Sequence, residues 1–191
     1  MSLTTSFFRQ KRLCLSLLLV GWWLFFSLGA AVHAAAQEVS ETQVKAAFLY
    51  NFTKFVEWPP SAFAANPGTI TLGILEREPL APALEALQGK EVQGRKLVVK
   101  RCRHAQELKT CQIFFASAAE EPALAAAMAA LKGLPVLIVT DEVDDFARLG
   151  GMINLIRQED KIRFHIDVTN ARRSGLKISS QLLKLAILRG D

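Results

Sequence analysis

The chain is poor in the residues that build metal and redox centres, with three cysteines and three histidines among 191 residues. His104 is the only imidazole near Cys102 and Cys111, and a zinc site needs more ligands than that trio supplies. No metal centre and no cofactor site is expected. No GxGxxG motif is present. Gly150-Gly151 leads into a strand rather than a helix, so it reads as a tight turn and not a phosphate loop. No Ser or Cys stands with a His and an orienting carboxylate in a pattern that the sequence exposes. No internal repeat and no low-complexity linker divides the chain. Positive charge is also scarcer than it looks. The formal net charge is +5, but Arg9, Lys11 and Arg12 lie in the first twelve residues. Without them, and with no acidic residue removed alongside, the charge falls to +2. No polybasic face for nucleic acid remains.

Those three cations precede an apolar run from Leu13 to Leu28 and a cluster of small residues from Gly29 to Ala36. Val32-x-Ala34 and Ala34-x-Ala36 satisfy the small-x-small cleavage rule, so residues 1–36 read as a secretory signal peptide. The alternative is an uncleaved anchor, because the run approaches the length of a spanning helix. Cleavage leaves residues 37–191 as one ordinary domain in an exported, periplasmic protein with no stable membrane insertion. Export bears on the cysteines. Cys14 leaves with the leader, and Cys102 and Cys111 remain in an oxidising compartment, where two thiols suggest a bridge. Against it, a full parallel crossover would place the end of one strand and the start of the next at opposite edges of the sheet. Two separate buried thiols are the other option.

The domain opens with Ser40-x-x-Gln43, which has the form of a capping box. Val44, Ala47, Phe48, Phe52, Phe55 and Val56 then recur at helical spacing, up to Pro59-Pro60. Thr69–Leu75, Lys96–Arg101, Gln112–Ala116 and Pro135–Thr140 are apolar runs that fit buried strands. Helices are expected between them at Leu80–Leu87 and Glu121–Leu131, with prolines suited to their first turns. The stretch from Met152 to Asp167 alternates with period two about the polar turn Gln158–Lys161, the signature of a β-hairpin. A last helix runs from Ser179 or Ser180 to Leu188. The expected fold is α/β: a mostly parallel sheet with flanking helices and a C-terminal antiparallel hairpin.

Several residues invite a functional reading. Asp141, Glu142, Asp144 and Asp145 follow a strand end, where open α/β sheets bind ligands; a solvated loop is the commoner use of such a run. Arg163, Arg172 and Arg173 could form an anion site, or simply face solvent. His165 alternates outward beside Arg163 and Asp167 and reads as structural. Tyr50, Asn51 and Trp58 are either amphipathic core-edge residues or part of a partner surface.

Five stretches together resemble the YfiR family: the leader, AAFLYNFTKFVEWPP, CQIFFAS, DDFARLGGMINL, and KIRFHIDVTNARRSGLKISSQLLKLA. The resemblance covers nearly all of residues 44–188 in order, and the two C-terminal blocks are its specific part. It implies a periplasmic protein without catalytic activity. It further implies contact with the periplasmic domain of an inner-membrane diguanylate cyclase, which lowers cyclic di-GMP and restrains biofilm growth. A periplasmic small-ligand sensor module is the alternative, and a homodimer is an open option. Redox-sensitive members carry cysteines around the stretch that is Val143 to Ile153 here, and none occurs in it. Within the resembling blocks, Tyr50, Asn51, Trp58, Pro59, Phe146, Gly151 and Asn154 are the expected partner surface. Trp58 stands beside two prolines and Phe146 follows an acidic loop, so both rings are expected to be partly exposed.

Overall fold

The computed structural model describes residues 41–188, and residues 42–188 belong to one compact unit. The signal-peptide region and the Ser40 end of the expected capping box lie outside the described residues. Helix α1 (41–55) comes first. The strands are β1 (Val56–Glu57), β2 (Thr69–Leu75), β3 (Glu91–Val92), β4 (Arg95–Cys102), β5 (Ile113–Ser117), β6 (Leu137–Asp141), β7 (Ile153–Gln158), β8 (Lys161–Ile166), β9 (Lys177–Ile178) and β10 (Ile187–Leu188). Between them lie α2 (Ala81–Glu85), α3 (Glu121–Leu131), α4 (Phe146–Leu149), α5 (Val168–Arg173) and α6 (Ser180–Leu183). Short 3-10 helices cover Pro60–Phe63, Ala105–Thr110 and Ala118–Glu120.

Eight strands form one sheet in the order β10-β8-β7-β6-β5-β2-β4-β3, and β1 pairs with β9 apart from it. From β4 across to β7 every neighbouring pair is parallel. The antiparallel pairs are the β7–β8 hairpin and the edge pair β3–β4. The fold is therefore the α/β architecture expected, a mostly parallel sheet with flanking helices and an antiparallel hairpin. The central strands are buried on both faces, which is why they read as unbroken apolar runs. In β5 and β6 every residue is buried.

The expected hairpin is present, with Asn154 opposite His165 and Leu155 opposite Phe164. Phe164 faces α1, its ring edge-on to Phe52 at 5.0 Å and to Phe48 at 5.6 Å. One residue on, His165 points to the other face and stacks on Phe146 of α4 at 6.5 Å. This is the period-two alternation of a pleated strand.

Three local expectations differ from what is observed. The buried stripe of α1 keeps Phe52 but otherwise differs from the one read in the sequence: Ala46 and Leu49 are buried, whereas Val44 is 40% exposed. The last helix stops at Leu183, and Ile187–Leu188 leave it to pair with β8. Finally, α5 follows the hairpin unannounced. Asp167 caps it by accepting from the Asn170 backbone N–H at 2.7 Å, a standard helix start.

Candidate functional site

The topology marks one place where a ligand would be expected. The chain passes from β2 to β4 on one side, then to β5 on the other side of β2. The crevice at the carboxyl ends of β2 and β5 is thus a topological switch point, the usual ligand site of open α/β sheets. Here it holds the protein's own carboxylate. Glu78 is buried; its Oε2 accepts from the Ser117 N–H at 2.9 Å and from Ser117 Oγ at 3.2 Å. Its Oε1 accepts from the Leu80 N–H at 3.1 Å. One strand over, opposite Ser117, Asp141 ends β6 and accepts from Lys45 Nζ of α1 at 2.8 Å, both side chains being buried. A buried ion pair of this kind gains little net stability but fixes geometry when both partners are present. It pins α1 to the strand ends.

The acidic loop after Asp141 accordingly does not gather into a cation site: among the described residues no group of three or more His, Cys, Asp and Glu could hold a metal. Glu142 and Asp145 instead take left-handed backbone conformations, φ +55° and +49°, an uncommon state for residues other than glycine. The segment between them is clamped by Asn154. Its Nδ2 donates to the Val143 carbonyl at 3.1 Å, and its Oδ1 accepts from the Val143 N–H at 3.3 Å and from Thr140 Oγ1 at 2.7 Å. A second amide, Asn170 Nδ2, donates to the carbonyls of Ala147 at 2.7 Å and Gly151 at 3.0 Å. Gly151 itself cannot carry a side chain. A Cβ there would sit 2.9 Å from the Phe146 carbonyl oxygen and 3.0 Å from its ring. These contacts hold α4 as a rigid one-turn helix that presents Arg148 and Leu149 outward.

The expected partner residues therefore divide. Trp58 is only 8% exposed. Its indole N–H donates to the Gln112 carbonyl at 3.0 Å, and its ring lies edge-on to Phe63 at 6.3 Å. Phe146 is 2% exposed. The expectation of partly exposed rings is thus corrected at both positions, because each finds a partner far away in sequence. Gly151 and Asn154 are buried as well. These four shape the surface without forming it. Tyr50 and Pro59 are half-buried and Asn51 is exposed. The Tyr50 hydroxyl donates to the Glu91 carbonyl at 2.9 Å, and its ring carries the Lys54 ammonium 4.2 Å and the Lys90 ammonium 5.3 Å from its centre. Asn51 accepts from Lys54 at 3.3 Å. Arg163 on β8 and Arg172 on α5 are both exposed, and no shared described partner joins them into an anion site.

Cys102 and Cys111 are brought together as two free, buried thiols rather than a bridge. The 3-10 helix Ala105–Thr110 returns the chain over the sheet, so the ends that a full crossover would separate meet. Gly73 makes the room, since a Cβ on it would lie 2.8 Å from Cys111 Sγ and 2.7 Å from Leu108 Cδ2. The hydrogen bond from Cys111 holds the Cys102 thiol below its ordinary value, with help from the Lys100 ammonium. The same bond, and burial after it, push Cys111 well up. Cys102 is the sulfur that ionises first.

Taken together these features define a mixed α/β domain whose strand-end crevice is closed by its own side chains and whose clamped turns shape the surface. A family model described as YfiR/HmsC-like matches residues 42–187, and the chain belongs to that family. The family is known as periplasmic, regulatory and non-catalytic. No curated protein matches the chain. Among solved structures it is similar to a conserved domain protein from Vibrio cholerae, at 13% identity and a TM-score of 0.49. That alignment covers 66% of this chain and 56% of the Vibrio protein, so the chain spans just over half of its length. Among the described residues no helix is long and apolar enough to cross a membrane.

Proposed function

We propose that this protein restrains a membrane-bound diguanylate cyclase by direct contact with the cyclase's periplasmic domain, and so lowers cyclic di-GMP. The observation that carries the reading is the family match, which spans nearly the whole described domain. Residues 1–36 act as the cleaved leader, and residues 37–191 are the mature regulator. The contact surface is the outward side of the second half of α1. There Asn51 is exposed and Tyr50 half-buried, with the half-buried Pro59 just beyond the helix, and Lys54 and Lys90 give the tyrosine face a positive rim. An aromatic ring held by its hydroxyl and flanked by charge is the kind of rigid anchor in which interface energy concentrates.

The test is to express the chain in a strain that lacks its own copy and to measure cyclic di-GMP. Expression should lower the nucleotide, and Tyr50→Ala should abolish the effect while the protein is still exported and still unfolds cooperatively, as circular dichroism verifies. A chain that is exported and folded yet leaves cyclic di-GMP unaltered would sink the proposal.

A further inference from the structure

A trough lies between the C-terminal ends of α3, α4 and α5, away from the α1 surface. Its volume is about 570 Å³, within the ~300–1,000 Å³ typical of small-molecule sites. Met128 and Ile138, both buried, form its floor, and Leu149, 39% exposed, forms an apolar lip. Lys132, Arg148 and Arg173 stand around it, one from each helix end, and no carboxylate among the described residues lines it. Arg148 reaches Asp145 at 3.5 Å, an exposed pair of the kind worth little in water. Lys132 and Arg173 have no ion-pair partner among the described residues. Compensation of helix dipoles does not account for all three cations. The helices α4 and α5 have only four and six residues, and few aligned peptide units make a small dipole.

An apolar floor under uncompensated positive charge is complementary to one kind of molecule. We propose that the trough binds a small amphiphile with a single carboxylate head and an apolar body. The body lies over Met128 and Ile138 against Leu149, and the head is held by Lys132 and Arg173, with Arg148 close by. The two asparagine clamps keep the α4 wall in place before the ligand arrives, which lowers the ordering cost of binding. This site is independent of the cyclase contact, and either can hold without the other.

The probe is monomeric decanoate, titrated calorimetrically into the purified protein below its micellar limit. One equivalent should bind and raise the melting temperature. The double variant Lys132→Ala/Arg173→Ala should weaken binding at least ~10-fold, since a hydrogen bond to a charged group is lost. Both side chains are exposed and unpaired, so the variant keeps its fold, which circular dichroism verifies. Ala129→Trp, which fills the trough from an exposed helix position, should also block decanoate. Absence of binding, equal affinity for decanol, or indifference to both variants would overturn the proposal. So would capture of the protein by anionic vesicles with no response to free decanoate, which would assign the cations to a membrane surface.

Discussion

Replacing Trp58 distinguishes a core residue from an interface anchor. The side chain is almost wholly buried, donates one hydrogen bond and packs edge-on to Phe63. Truncation of such a residue to alanine costs about 3–5 kcal/mol. A domain of this kind has about 5–15 kcal/mol in total, so the loss is a large share of it. At roughly 2–4 °C per kcal/mol for this chain length, the melting temperature should fall by about 6–20 °C. Trp58→Phe is the finer probe. It keeps most of the apolar area and removes the N–H donor. The Gln112 carbonyl is not orphaned, because the Leu137 N–H also donates to it at 2.8 Å. The phenylalanine variant should therefore lose only ~1 kcal/mol, or about 2–4 °C. Thermal unfolding followed by circular dichroism reads both values. An alanine variant that melts within two or three degrees of the parent, and yet loses cyclase repression, would refute the reasoning and return Trp58 to the interface.

Lys45→Met should leave Asp141 as a buried carboxylate without its cation and cost about 3–5 kcal/mol; recovery of stability in Lys45→Met/Asp141→Leu, read by urea unfolding, would show the pair to be replaceable by apolar packing. Gly73→Ala should cost about 1–3 kcal/mol by overpacking, because Leu108 is itself buried and cannot yield; an unchanged melting temperature would refute this. Protein recovered from an oxidising compartment should carry a Cys102–Cys111 disulfide, since the two thiols share a hydrogen bond and oxidising compartments favour bridges. Intact mass before and after reduction decides it, and two free thiols would count against the bridge.

The parallel core was legible because strands buried on both faces leave a plain trace. TITLGIL marks β2 to the residue, and Pro122 and Gly133 bracket α3. The hairpin was legible because its outer half alternates. What escaped was whatever depends on distant partners. Trp58 looks peripheral beside two prolines, and only the carbonyl of Gln112 reveals its depth. Nothing local in the sequence announces the burial of Lys45 and Glu78, whose partners lie 96 and 39 residues away. Two-residue strands such as β1 and β9 are too short for any periodicity. β10 lies within the span of the expected last helix, and Leu182, Leu183 and Ala186 do carry a helical spacing up to it. Aromatic character does not separate surface from core in this chain: Phe146 and Trp58 are buried and Tyr50 is half-buried.

The position of α1 also governs how the polypeptide can mature. It is the first element of the domain to be synthesised, yet its contacts arrive late, Asp141 for Lys45 and Phe164 for Phe52, as does Ile178 for Val56 of the adjoining β1. A helix of this length is marginal alone in water, and closing such long loops slows folding. The nascent chain must therefore carry its first apolar helix undocked until nearly the whole sequence exists. Under the export proposed above that delay is useful, because the chain remains threadable while it is being moved, and the pairing of β1 with β9 closes the fold only once the last segment has followed.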